Sequence, residues 1–215
     1  MNSVTVNEIV ETLNVGFIFG EDFGDREVTI SEVSRPGLIL SGYSEFYHAD
    51  RIQLIGRTES RFLNSKSSQE RVEIFERMIQ PNTPAVIFTH MEKVPEEIIP
   101  VATRVGMPIL GAPSKTGRVH ANLTNFLEGQ LAERLSKHGV FVEVFGMGVM
   151  LVGSSGVGKS ETALELVQRG HRLIADDRVE LFMIDELTLV GEAPEILENL
   201  LEIRGLGIID VMNLY

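Results

Sequence analysis

The 215-residue chain contains no cysteine. Disulfides, thiolate metal centres and a cysteine nucleophile are therefore excluded, and a reducing cytoplasm is the expected location. The chain also lacks a basic run. Lysine and arginine number 19 against 31 aspartates and glutamates, for a formal net charge of −12. A duplex-binding domain carries a basic footprint, so nucleic acid is not an expected partner. The opening MNSVTVNEIVETLNV has no basic segment leading into an apolar one, which argues against a secretory signal. No uncharged apolar stretch reaches the ~18 residues of a membrane span. The longest, VFGMGVMLVG, is short and rich in glycine and reads as buried strand. No membrane association is expected, and internal repeats and low-complexity tracts are missing too.

What is present suits a folded protein. Hydrophobic residues make up 43% of the chain and charged residues 23%, close to the globular average. The length suggests one or two domains. In VNEIVETLNV the apolar residues Val6, Ile9, Val10 and Leu13 recur at helical spacing. SRPGLILSG breaks at Pro36-Gly37 and then turns apolar, RIQLIG reads as strand, and SSQERVEIFERMIQP as an amphipathic helix stopping before Pro81. PAVIFT, VPEEIIPVATRVG and MPILGAP then read as strand, helix and strand, a βαβ unit with parallel strands. The fold class is α/β. ANLTNFLEGQLAERLSKHG reads as one helix, with Leu123, Phe126, Leu127, Leu131 and Leu135 on a face, Asn122 or Thr124 capping its start and Gly139 its end. The domain boundary falls around this helix, giving an N-terminal α/β domain at 1–128 and a second domain from 129 to 215. VFVEVFG and GVMLVG follow as strands joined by a turn at Gly146 to Gly148.

GSSGVGKS, comprising Gly153, Ser154, Ser155, Gly156, Val157, Gly158, Lys159 and Ser160, matches the phosphate-loop (P-loop) pattern G-x-x-x-x-G-K-[ST], with Glu161 next to it. The apolar VMLV runs into it, and SETALELVQRG runs out as a helix whose buried face is Ala163, Leu164, Leu166 and Val167. The glycines let backbone N–H groups turn toward phosphate oxygens, and the helix start adds positive potential. Lys159 can reach β- and γ-phosphates, and the Ser160 hydroxyl can ligate a Mg²⁺ ion bridging them. The choice of purine is not encoded.

Sixteen residues after Ser160 stands the pair Asp176-Asp177, closing the apolar Leu173-Ile174-Ala175. A strand ending at two carboxylates can lie beside the loop's own strand, with its C-terminal end toward the phosphates. One carboxylate can hold Mg²⁺ and the other can take a proton from an attacking hydroxyl. The residues leave open which does which. His138, just before VFVEVF, can reach the same edge, or can simply favour a helix dipole. No zinc spacing is found among the remaining histidines. At the end, LLEIRGLGIIDVMNLY sets Glu202 and Arg204 among apolar residues; PEILENLLEIRG reads as a helix ending at glycine, followed by a strand GIIDV.

GSSGVGKSETALELVQRGHRLIADDRVE followed by LLEIRGLGIIDVMNL resembles bacterial HPr kinase/phosphorylase, and SRPGLILSGY and RIQLIG resemble its first half more loosely. The resemblance implies a P-loop domain closer in topology to phosphoenolpyruvate carboxykinase than to ordinary P-loop enzymes. It implies ATP-dependent phosphorylation of a serine of HPr, the phosphocarrier of the sugar phosphotransferase system. It also implies phosphate-driven removal of that group with release of pyrophosphate, in the service of carbon catabolite regulation. The resemblance implies pyrophosphate as an alternative donor. The implied roles are Asp177 as base and, in reverse, acid, with Asp176 assisting; Lys159 on the phosphates; Ser160 and Glu202 on Mg²⁺; His138 supporting the acid–base pair; and Arg204 in the catalytic set. Family members are hexameric and run on beyond the equivalent of Tyr215, so a homo-oligomer and an incomplete catalytic domain are expected. A small-molecule kinase and a nucleotide-sensing module without transfer are the competing readings.

Overall fold

The computed structural model describes residues 2–185, 187–194, 200–203 and 207–210. The chain divides into two compact units, Met1–Leu131 and Ala132–Tyr215.

In the first unit, strand β1 (Val4–Thr5) runs into helix α1 (Val6–Thr12). The start of α1 is a capping box. Thr5 accepts the Glu8 amide, and the Glu8 carboxylate accepts the Thr5 amide at 2.7 Å. Strands β2 (Gly16–Phe19) and β3 (Glu27–Val28), the short helix α2 (Gly37–Ser41), β4 (Gln53–Ile55) and helices α3 (Arg57–Asn64) and α4 (Ser68–Met78) follow. The unit closes with β5 (Val86–Thr89), α5 (Ile98–Val105), β6 (Ile109–Ala112) and α6 (Thr116–Leu131). The main sheet has the order β2-β6-β5-β4, with β4, β5 and β6 parallel and β2 antiparallel to β6. The expected βαβ unit is β5-α5-β6.

Alternation along these strands feeds two cores. Ile55, Val86, Phe88 and Ile109 pack with α2, α4 and α5, whereas Leu54, Ile87, Leu110 and Ala112 pack with α1 and α6. A sheet covered on both faces needs apolar residues at every position, which is why VIFT is buried throughout.

The second unit is built from β7 (Leu135–His138), β8 (Val140–Val144), β9 (Met147–Leu151), α7 (Lys159–Gln168), β10 (Arg172–Ala175), β11 (Arg178–Met183), β12 (Leu189–Glu192), β13 (Leu200–Ile203) and β14 (Gly207–Asp210). One sheet has the order β10-β8-β9 and a second β12-β11-β7, while β13 and β14 form an antiparallel pair. Helix α7 lies on the first sheet through Ala163, Leu164, Leu166 and Val167, against Val140, Val142 and Leu173.

Several expectations need correction. The helix expected to end at Gly139 begins at Thr116 and stops at Leu131. Asn122 and Thr124 therefore lie inside it rather than capping it. Leu135 instead starts β7, an exposed strand paired antiparallel with β11. The partner is some forty residues away along the chain, and local helical spacing carries no sign of it. The β8–β9 turn sits at Phe145-Gly146, both at positive φ, one residue earlier than expected. Leu200–Ile203 is strand, not the end of a helix, because it pairs with Gly207–Asp210. Strand β10 does not lie beside β9; β8 separates them. Because β8 is antiparallel to both, β9 and β10 still run the same way and end at the same edge. Among the described residues, no helix is long and apolar enough to cross a membrane.

One ion pair in the first unit is sensitive to pH. Arg71 of α4 donates to Glu97 at 2.5 Å, just before α5. The Arg71 hydrogen bond, helped by a backbone bond, holds the Glu97 carboxyl down from an ordinary 4.5 to about 2. A depressed carboxylate contributes stability in full above its unfolded value and loses it as pH falls. Glu97→Gln is thus expected to lower the thermal midpoint at pH 7, with the gap to the parent closing as pH drops from about 4.5 toward 2. A gap that stays constant down to pH 3 rules this out.

Candidate active site

Strand β9 enters the loop at Val152, and α7 leaves it at Lys159. Gly156 and Gly158 sit at φ of +84° and +97°, a conformation open to residues without a Cβ. Such backbone turns can present amides to one side of a loop, an arrangement that suits an anion. Gly158 caps α7 without any side-chain hydrogen bond, so the first-turn N–H groups remain directed out of the helix end. The Lys159 ammonium folds across the loop and donates to the carbonyls of Gly153 and Ser154, each at 3.1 Å.

The aspartates sit at a corner. The chain passes from one sheet to the other at two points, between β7 and β8 at Gly139 and between β10 and β11 at Asp176-Asp177. The corners are joined to each other. The Gly139 amide donates to the Asp177 carbonyl at 3.1 Å, and His138 Nδ1 lies 3.1 Å from the same oxygen. His138 also faces Arg178 across the β7–β11 ladder. Gly139 has no room for a side chain, because a Cβ there would meet the Leu151 carbonyl at 2.7 Å.

The two carboxylates differ sharply. Asp176 is buried, and the Ser160 hydroxyl donates to its Oδ1 at a long 3.5 Å. Asp177 adopts φ +64°, unusual for a residue with a side chain. That twist ends the strand and sends its carboxylate outward, 76% exposed, with Oδ1 3.6 Å from His138 Nδ1. His138 is itself 87% exposed.

All of these groups border one cavity of about 470 Å³. Its wall includes His138, Asp176 and Asp177 on one side and Gly153, Ser155, Gly156, Gly158, Lys159, Ser160 and Glu161 on the other. Ser154 and Val157 belong to the loop but not to this wall. Gly139 is part of the wall; the sequence marked it only as the end of a helix, and its place between two strands comes from the pairing of β7 and β8 with distant partners. Glu202 lies on β13, which runs alongside α7, and its side chain is outside the described set. Arg204 lies outside the described residues altogether.

The wall offers hard oxygen donors, the Ser160 hydroxyl and the Asp176 carboxylate. No group of three or more histidines, aspartates or glutamates capable of holding a metal occurs among the described residues. Mg²⁺ in general accepts one or two protein oxygens with the remainder from phosphate and water. A dedicated all-protein metal cage would look different.

Residues 4–127 match the family described as HPr Serine kinase N terminus, and residues 129–215 match the HPr Serine kinase C-terminal domain. The HPr kinase/phosphorylase of Levilactobacillus brevis is 56% identical over 99% of this chain and 68% of its own length. That of Lacticaseibacillus casei is 53% identical over 100% of the chain and 67% of its own length. That of Streptococcus pneumoniae is 48% identical over 100% of the chain and 69% of its own length. Among solved structures, the Hpr(Ser) kinase/phosphatase from Coxiella burnetii is 37% identical, covering 38% of this chain and 53% of its own, with a TM-score of 0.36. The chain belongs to the HPr kinase/phosphorylase family, and it spans about two thirds of the length of these curated relatives.

The Gly139 contact gives a test of the corner. Gly139→Ala is expected to destabilise the second unit by about 1–3 kcal/mol, the scale of a strained backbone position. Hydrogen exchange should speed up at the amides of residues 139 and 178, which are bonded to Asp177 and Asp176 carbonyls. Unchanged protection at both would mean the corner does not depend on the missing Cβ.

Proposed function

We propose that this protein is an ATP-dependent serine kinase and phosphorylase of the phosphocarrier HPr, with its chemistry in the cavity between the phosphate loop and the aspartate corner. The observation that carries the reading is that Asp177, Asp176, Lys159 and Ser160 border one cavity although they come from different elements. Family membership supplies the substrate pair, since the relatives are HPr kinase/phosphorylases.

In this reading the loop amides and Lys159 gather the β- and γ-phosphates, and Glu161 sits at the first turn of α7 beside them. Ser160, Asp176 and Glu202 would hold Mg²⁺, which when bound neutralises charge on the transferring phosphoryl group. In the forward direction the HPr serine oxygen attacks the γ-phosphorus while the Asp177 carboxylate takes its proton. The bond from phosphorus to the bridging oxygen breaks, and ADP departs. In reverse, an oxygen of inorganic phosphate attacks the phosphoserine phosphorus. The serine oxygen leaves with the proton that Asp177 returns, and pyrophosphate forms. One group can serve both directions because a base going forward must be an acid coming back.

Exposure supports this division of labour. A proton carrier must meet a protein substrate, and Asp177 is the exposed carboxylate of the pair. Asp176, buried beside Ser160, suits a fixed role near the cation. His138 acts through Asp177, holding its carbonyl and facing its carboxylate. Arg204 is kept in the catalytic set on the family resemblance alone. A homo-oligomer, hexameric as in the family, and a cytoplasmic location belong to the same proposal.

Asp177→Ala is expected to cut phosphoryl transfer to purified HPr by about 10²–10⁴-fold, the usual contribution of general acid–base catalysis, while leaving Mg-ATP affinity within about threefold. The readouts are the mass of HPr after incubation with Mg-ATP, pyrophosphate release on adding phosphate, and calorimetric titration of ATP. Transfer at the parent rate in this variant would remove Asp177 from the acid–base role.

A further inference from the structure

The phosphate loop has a second, quite different side. Against it lies a groove of about 360 Å³, bordered by Met150, Leu151, Val152, Val157, Gly158, Lys159 and Thr162. Where the first cavity presents carboxylates, an ammonium and loop glycines, this one sets the aliphatic side chains of Leu151, Val152 and Val157 and the Met150 thioether beside Lys159 and Thr162, a mixed rather than purely apolar lining. The Thr162 hydroxyl is already engaged, donating to the Gly158 carbonyl at 2.7 Å. Val152 is 70% exposed and Val157 63%, costly exposure for aliphatic side chains beside a binding loop. The packing of α7 on its sheet does not use them.

The two spaces adjoin at the loop. Gly158 and Lys159 border both. Val152 borders only the groove and its neighbour Gly153 only the polar cavity, and successive Cα atoms are about 3.8 Å apart. A ligand whose charged end occupies the polar cavity can extend past the shared Gly158–Lys159 border to the Val152 side chain in the groove. A nucleoside triphosphate has that polarity along its length, anionic at one end and a flat apolar base at the other.

We propose that the base and ribose of the phosphoryl donor lie in this groove, with Val152 and Met150 as the residues that bind the nucleoside. The proposal rests on the reading of the polar cavity as the polyphosphate site. Under it the loop backbone separates two tasks: its inner side grips phosphate and its outer side packs the nucleoside. A polyphosphate without a nucleoside would use the first task only.

That difference sets the experiment. The chain, in Mg²⁺, is titrated calorimetrically with ATP and with pyrophosphate, for the parent and for Val152→Asp. Val152 is exposed and outside the apolar core, so the change should spare the fold, and pyrophosphate binding checks this directly. ATP affinity is expected to fall about five- to tenfold, what losing one packed aliphatic face and placing a charge there would cost. Pyrophosphate affinity is expected to stay within about twofold. Val152→Ile, which keeps the apolar surface, should restore the parent ATP affinity. Unchanged ATP affinity in Val152→Asp overturns the proposal, because the groove then serves something other than the nucleoside. An equal loss for ATP and pyrophosphate also overturns it, since Val152 would be acting on the phosphate cradle. If the parent binds neither ligand, the reading of the polar cavity fails first, an outcome distinct from the other two.

Discussion

The Asp177 carbonyl, accepting the Gly139 amide at 3.1 Å, is the contact on which the candidate site turns. It joins the two places where the chain leaves one sheet for the other. It carries the β7–β11 ladder, in which His138 already pairs with Arg178, one bond further into the corner. Together they form one corner that shares a cavity with the phosphate loop. The contact needs a residue without a Cβ at position 139, because the Leu151 carbonyl occupies that space. It also needs Asp177 to accept a left-handed backbone, a cost of about 1–3 kcal/mol repaid by the surrounding ladder. Strain at such a position is common where a side chain must be aimed, and here it turns a carboxylate out of the sheet and into the open.

The same twist explains how adjacent aspartates come to differ. Asp176 closes β10 facing inward, beside Ser160, and Asp177 points away from it. Two carboxylates on one side, close together, would contest each other's charge. Divided between a buried and an exposed setting, they can serve a cation and a proton separately. The loop is divided in a comparable way, with the carboxylates on one side and Met150 and the exposed Val152 on the other. Much of the proposed chemistry thus comes from placing neighbouring residues on opposite sides of a backbone.

The phosphate loop was legible because its residues are contiguous. GSSGVGKS, the strand before it and the helix after it all make their contacts within a short stretch of chain, and they stand where their pattern put them. The parallel β5-α5-β6 unit was legible for the same reason. The aspartates could be assigned to a strand end from Leu173-Ile174-Ala175, but the insertion of β8 between β9 and β10 could not be read. That order is decided by pairings across many residues. Leu135 is the clearest failure. Its spacing continued the helical face of Leu127 and Leu131, yet it joins a strand opposite Leu181. Periodicity reports which side of an element is apolar and is silent about a distant partner that offers more. The strand at Leu200–Ile203 was misread in the same way, its apolar run fitting helix or strand equally until Gly207–Asp210 paired with it.

The central claim is that the aspartate corner faces the terminal phosphate held by the loop. A crystal structure of the protein with Mg²⁺ and a non-hydrolysable ATP analogue tests it most directly. The account predicts an Asp177 carboxylate oxygen no more than one water's reach, about 5 Å, from a γ-phosphate oxygen, with the loop amides on the β-phosphate. A γ-phosphate more than about 10 Å from both carboxylates would contradict it.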